Sequence, residues 1–373
     1  MSSRECPPEI LALICDNLTE RAALFSLCRT SRVLLDNAQR ILYRSVDLEG
    51  LPIGRVRSWL LAVGQHEHLA ESVRSLTLQL PQALDLAPKD ANAVAAAFKA
   101  CTNLKELRLL CMPNAEPNKG THEWMVDRCT FRLTTFVNSY FAWTPMLSKF
   151  LSAQSQIRVL SVPGCGSIPG HLIAGDAGET PKLPALVAVS TNIESLPANR
   201  PLERIETLYF VTKIERLRDY GQTLTTLNLF IWGSFIDVTI TVNQMADLCP
   251  LLEHLALVET DYGMQVLGGT QEGTPMASVI PKLARLETFT YIQRNEVLGT
   301  SVAQPSQACT PEDLRRIVKE SVEASPKMRR FVLGTTDYCL YTARKKEEGG
   351  QVDVEAHQYD DEIDFEPLSM FYV

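Results

Sequence analysis

Three sets of residues in this 373-residue chain have types that could do chemistry. His66 and His68 in "QHEHL" offer two imidazoles of the kind that bind zinc, but no cysteine or carboxylate cluster lies near them at metal-site spacing. They read as a solvated helix end. "GCGSIPG" at 164–170 is glycine-rich like a phosphate loop, yet it lacks both the glycine spacing of a dinucleotide fingerprint and a P-loop lysine. Ser167 within it cannot sit on a nucleophile elbow, because Cys165 stands two residues earlier where glycine is required. The 10 cysteines are scattered singly with no C-x-x-C pair, so they read as reduced and mostly buried small hydrophobes. None lies in a local signature for a thioester-forming ligase. No catalytic, cofactor-binding or metal-binding residue is assigned, and the chain is not expected to be an enzyme.

Recognition is the remaining class of function, and the elements that would support it follow from composition and pattern. Hydrophobic residues make up 45% and charged residues 21%, which is globular usage with enough apolar material for a continuous core. The net charge of -8 argues against broad phosphate binding, since neutralising a nucleic-acid backbone needs a clustered basic surface. A protein partner fits better. The opening "MSSRECPPE" has no charged leader ahead of an apolar stretch, and no run of about 18 apolar residues occurs, so a soluble, cytoplasmic or nuclear chain without a membrane segment is expected. "NLT" at 17–19 matches a glycosylation acceptor but falls inside the first helical unit and is discarded.

That unit begins with "CPPEILALICDNL" at 6–18, whose prolines start a short helix and whose Ile10, Leu11, Leu13, Ile14 and Leu18 exceed what one buried face needs. After a possible cap at Thr19, apolar spacing predicts two more short helices broken near Thr30 and Ser31, before "RSVDL" turns extended. Three short helices of this size rarely stand alone and must dock on something.

Residues 5–48, from "PPEILALICDNL" through "LFSLCRTSRVLLDNAQRILYRSVDL", resemble an F-box, most closely the fungal form. Cys6 departs from the leucine usual ahead of the first proline, and as a smaller residue it would fill the same pocket less well. The resemblance implies a partner, the Skp adaptor and through it a cullin, with Pro7, Pro8, Ile10, Leu11, Ile14, Leu18, Leu24 and Leu27 as adaptor contacts. The excess apolar surface of the first helix would then be buried partly within the F-box and partly on the adaptor. The competing reading makes these helices a cap that seals the following domain.

Residues 49–341 repeat a short strand pattern. "VRSLTL" at 73, "LKELRL" at 104, "LTTFVN" at 133, "IRVLSV" at 157, "IETLYF" at 205, "LTTLNL" at 224, "LEHLAL" at 252, "LETFTY" at 286 and "MRRFVL" at 328, with "LVAVST" at 186 as a weaker member, have mostly apolar first, fourth and sixth residues. The runs resemble leucine-rich repeats. With the fourth residues as marks (76, 107, 136, 160, 189, 208, 227, 255, 289, 331) the intervals are irregular, and helices are expected in "DANAVAAAFKACTN", "TVNQMADLCPLL" and "TPEDLRRIVKESVEASPKM". Insertions such as "MPNAEPNKGTHEWMVDRC" and the segment 261–278 read as loops. The fold class expected is α/β, a short helical F-box followed by an irregular leucine-rich-repeat solenoid, a curved parallel sheet with outer helices.

Residues flanking the fourth position should point to the open face of such a sheet. In the second half they are unusually apolar, and Tyr209, Val211, Asn228, Phe230, Val258 and Ile292, with His254, Thr290 and Val332 beside them, form the candidate substrate face. Tyr209 and Phe230 are expected as neighbours. A one-residue register error would instead make this set core. Residues 342–373 turn acidic, with a flexible middle expected and an apolar end, "IDFEPLSMFYV", suited to sealing the last edge of the sheet or to serving as an exposed motif. Together these readings describe a substrate-recognition subunit of a Skp-cullin-F-box ubiquitin ligase. The alternative is a leucine-rich interaction scaffold whose amino-terminal helices only cap it.

Overall fold

The computed structural model describes residues 7–81, 85–112, 122–162, 183–197, 200–209, 213–232, 238–260, 276–293, 310–334, 339–346, 350–358, 368 and 370–372. The chain divides into two compact units, Met1–Leu186 and Val187–Val373. Both are α/β, built on sheets in which each strand pairs with the next in sequence. Neighbouring runs of "L-x-x-L-x-L" produce this order, because each buries the same two or three side chains and so offers its neighbour an identical register.

In the first unit α1 (Pro8–Asp16), α2 (Arg21–Leu27) and α3 (Arg32–Leu42) precede β1 (Ser45–Leu48). Pro7 holds an extended backbone and Pro8 occupies the first helical turn, the arrangement proline favours. The break before α3 falls at Ser31, whose side chain accepts the Leu34 N–H. Thr19 is not a cap; α2 starts from Glu20 with no side-chain cap bond. Then follow α4 (Ile53–Gln65), α5 (Glu67–Ser72), β2 (Ser75–Leu80), α6 (Pro88–Ala100), β3 (Glu106–Cys111), a 3-10 turn at Glu123–Val126, β4 (Thr135–Asn138), α7 (Pro145–Ser152) and β5 (Val159–Ser161). All neighbouring strand pairs here are parallel, with Val46, Leu76, Leu107, Phe136 and Leu160 side by side.

Their helix-facing side is buried with Val56, Leu60, Val94, Phe98, Leu147 and Leu151. On the other face β2 and β3 are only half-buried and largely polar, at Ser75, Thr77, Gln79 and Arg108. Asn138 takes the third core position of β4, where it satisfies its amide by accepting the Phe141 N–H and donating to the Phe141 carbonyl, both at 2.9 Å.

The second unit holds β6 (Ala188–Ser190), β7 (Arg204–Tyr209), β8 (Thr226–Trp232), β9 (His254–Thr260), β10 (Thr288–Gln293) and β11 (Arg330–Gly334), all parallel. The helices between them are α8 (Val238–Leu248), α9 (Met276–Val279) and α10 (Pro311–Ala324), the last opened by a capping box of Thr310 and Asp313. Val189, Ile205, Leu227, Leu255, Phe289 and Phe331 stand in one row of the core.

This row corrects one mark: the residue of β7 in register with Leu227 is Ile205, not Leu208. The repeating unit is therefore "LERIET", with Leu202, Ile205 and Thr207 inside. Its third apolar position holds threonine, which disguised it.

A backbone pattern recurs in both units. The carbonyl just before a strand accepts two consecutive N–H groups from the next strand: Arg74 from Lys105 and Glu106, Glu203 from Thr225 and Thr226, Glu253 from Glu287 and Thr288.

The chain after residue 338 also differs from expectation. β12 (Cys339–Lys345) and β13 (Val352–Gln358) add antiparallel to β11. The stretch expected to be flexible is thus a hairpin, turning at Gly350 with φ 68°. Backbone pairing and the burial of Val352 hold it, while Asp353 and Glu355 put charge on the outermost strand.

Candidate interaction surfaces

Apolar residues lie on both sides of α1. Inward, Cys15 joins Leu24 and Ala38 in a small core, with Leu18, Leu27, Leu34, Ile41 and Leu42 packed around it. Outward, Ile10, Leu13 and Ile14 fall at i, i+3 and i+4 on one stripe and remain 45%, 57% and 48% exposed. Phe25 of α2 is 60% exposed, and Val33 of α3 is exposed as well.

The residues expected at an adaptor therefore fall into groups. Ile10 and Ile14 are open, and Pro7 is exposed beside them. Leu11, Leu18 and Leu27 are half-buried, Leu24 is interior, and Pro8 sits in the first helical turn. Cys6 lies outside the described residues. Leu13, one of the excess apolar residues of the first helix, and Phe25 were not among the expected adaptor contacts, although Leu13 follows from the helical spacing of Ile10. Arg40 ties α3 to α1 through both Asp16 carboxylate oxygens at 2.9 and 3.1 Å, and Arg21 donates to the Ser45 carbonyl, so the three helices are fastened to each other and to the start of β1.

The second surface is the face of β7–β12 opposite α8–α10. Its middle row is Glu206, Asn228, Ala256, Thr290 and Val332, with Phe230, Val258 and Ile292 one step along. Ala256, Val258, Ile292, Val332 and Leu340 form a buried apolar cluster, with Phe230 half-buried against it. At its margin Glu206 accepts from Ser190 (2.8 Å) and from the Asn228 amide (3.1 Å), and His254 Nδ1 lies 2.8 Å from Thr288 Oγ1. Burial pushes the His254 imidazole below its ordinary value.

This face was expected to be open, and the structure corrects that. Leu368 packs onto the cluster, Phe371 is fully buried, and the Phe371 carbonyl accepts from Arg204 at 3.0 Å. The apolar carboxy-terminal end docks, as the sequence suggested, but on the sheet face and not on the last edge. Val258, Ile292 and Val332 lie buried in that cluster, and Asn228 and Thr290 are buried as well. Tyr209 pairs through the backbone with Ile231, and Phe230 with Leu208, so Tyr209 and Phe230 are not at equivalent places. Val211 lies outside the described residues, as do "GCGSIPG" and most of 261–278.

No protein-family model matches this chain, and no curated protein matches it significantly.

The chemistry-bearing residues are accounted for locally. His66 and His68 are exposed at the junction of α4 and α5, and no cluster of three metal-ligand side chains occurs among the described residues. Burial pushes the thiols of Cys101, Cys129 and Cys249 up to about 12, so all three stay protonated at neutral pH. A groove of about 910 Å³ is lined by Asp36, Arg40, Arg44, His68, Glu71 and Arg74. Two of its arginines are engaged: Arg40 with Asp16, and Arg74 with the Glu71 and Asn103 carbonyls. Among the described residues no helix is long and apolar enough to cross a membrane.

Proposed function

We propose that the chain is the substrate-recognition subunit of a Skp-cullin-F-box ubiquitin ligase, with residues 5–48 acting as the F-box and the strand repeats after them as a leucine-rich-repeat solenoid that holds the target. The observation that carries the reading is the stripe of Ile10, Leu13 and Ile14, left open on a helix whose other side is already packed. A helix that only capped the following domain would turn its excess apolar surface inward. An exposed aliphatic stripe is instead the core of an interface still to be made.

The repeat reading draws support from the in-register ladder of apolar residues and from the recurring pair of N–H bonds to the carbonyl before each strand. Under this reading the chain does no chemistry itself. It raises the effective concentration of a protein target near the ligase, and the reaction belongs to its partners.

Affinity purification of the tagged full chain from its native cells, followed by mass spectrometry, tests the proposal. An adaptor and a cullin should co-purify in amounts comparable to the bait. Recovery of other partners without either one would favour the scaffold reading, in which the three helices are a cap.

A further inference from the structure

In the first unit the sheet face away from the helices is polar and half-open on β2 and β3, as expected of a surface facing water. The corresponding face of the second unit is apolar, and what covers it is not a helix but the last residues of the chain. Leu368 lies on Ala256, Val258, Ile292, Val332 and Leu340, a patch reaching from β9 to β12, with Phe230 of β8 at its border. Phe371 is buried, with its ring against Tyr372, and its backbone carbonyl is held by Arg204 of β7 at 3.0 Å. The contact thus has three parts: an aliphatic seat, an aromatic three residues further on, and a guanidinium that takes a main-chain carbonyl.

We propose that this face is a binding site for an extended protein segment of the form Leu-x-x-Phe, and that the chain's own carboxy terminus is its resident, displaceable occupant. Nothing in the seat requires the occupant to be covalently attached. The aliphatic cluster recognises a leucine-sized side chain by shape and water exclusion. Arg204 recognises a carbonyl that any peptide supplies. A protein target with an exposed leucine and phenylalanine at this spacing offers the seat the same leucine and offers Arg204 the same carbonyl.

The tethered segment competes at an effective concentration of the order of millimolar. For a contact with a Kd of about 0.1 mM, that tether weakens binding of a free peptide by about tenfold. As a description of the ligase substrate the inference rests on the receptor reading. The test below contains no adaptor, so its failure and the failure of that reading are separate results.

The probe is a fluorescently labelled peptide, EPLSMFYV, which reproduces residues 366–373. Its binding is measured by anisotropy to the full chain and to the full chain carrying Leu368→Ser and Phe371→Ser. The expected result is saturable binding to the variant, about tenfold weaker binding to the unchanged chain, and loss of binding when Arg204→Ala and Phe230→Ala are added to the variant. Equal affinity for both chains overturns the proposal, as does equal binding of a control peptide in which Leu and Phe are replaced by Ser.

Should the double-serine chain fail to fold, the unchanged chain supplies the decision through hydrogen exchange of its last eight residues. Saturating free peptide should speed exchange there several-fold by displacing the tail. Exchange that does not respond to the peptide overturns the proposal.

Discussion

Arg57 of α4 and Asp90 of α6 are joined by two parallel bonds, Nε to Oδ1 and Nη2 to Oδ2, each 2.7 Å. The Asp90 side chain is 6% exposed while that of Arg57 keeps 39%. Replacing Arg57 by alanine strips both bonds and leaves a carboxylate nearly out of water. An isolated buried charge costs about 3–5 kcal/mol and a broken exposed pair less than about 1. Since water can reach the carboxylate through the space the guanidinium leaves, Arg57→Ala should cost about 2–3 kcal/mol. Asp90→Asn keeps an acceptor but loses charge assistance, for about 1–2 kcal/mol.

The Arg57→Ala, Asp90→Ala pair removes the orphaned charge, so the cycle should show a coupling of about 2 kcal/mol. Urea unfolding followed by tryptophan fluorescence reads this well, because Trp59, Trp124 and Trp143 all belong to the first unit. The hydrogen bonds from Arg57 hold the Asp90 carboxyl below the usual carboxylate range. Its contribution is therefore complete above about pH 4, the unfolded value, and is lost as pH falls through the lowered folded value. A cost for Arg57→Ala below about 1 kcal/mol, or a strictly additive cycle, would refute the reasoning.

Two further outcomes follow from local chemistry. Thr310→Ala removes the hydroxyl that accepts the Asp313 N–H at the start of α10, and should lower the stability of the second unit by about 1 kcal/mol in denaturant melts, an expectation contradicted by an unchanged midpoint. Burial holds His254 below its ordinary value, so its contribution is full above about pH 6.5 and is lost as pH falls through the lowered folded value. The stability gap between the unchanged chain and His254→Asn should therefore narrow from pH 7 to pH 5, and a constant gap would contradict it.

Much of the sheet was legible because burial of alternate side chains is a local signal. Leu76, Leu107, Phe136 and Leu160 mark one ladder, as do Val189, Leu227, Leu255, Phe289 and Phe331. The mark failed at β7, where Thr207 fills a core position and a nearby Leu208 supplied a better-looking but shifted pattern. β12, "CLYTARK", carries no strict alternation, and β13, "VDVEAHQ", does alternate but escaped notice because Asp353 and Glu355 made it read as part of an acidic tail.

The candidate surfaces show the same division. The doubled apolar surface of α1 can be read from Ile10, Leu11, Leu13 and Ile14, since helical spacing sorts them into two faces. The apolar character of Val258, Ile292 and Val332 was equally plain. What covers them was not, because Leu368 and Phe371 reach that face through tertiary packing that no sequence period encodes.

The central claim is that the open stripe on α1 is an adaptor interface. Titration of purified Skp adaptor into the purified full chain by calorimetry tests it most directly, using the unchanged chain and the triple variant Ile10→Ala, Leu13→Ala, Ile14→Ala. Each of these side chains is about half exposed, so covering the remainder contributes about 1 kcal/mol per residue, half the value of a fully buried aliphatic side chain. Three such losses amount to about 3 kcal/mol, more than a hundredfold in Kd. The account predicts one-to-one binding by the unchanged chain and a loss of about that size in the variant, with little change in melting temperature. No binding by the unchanged chain, or binding by the variant within about threefold of it, would contradict the account.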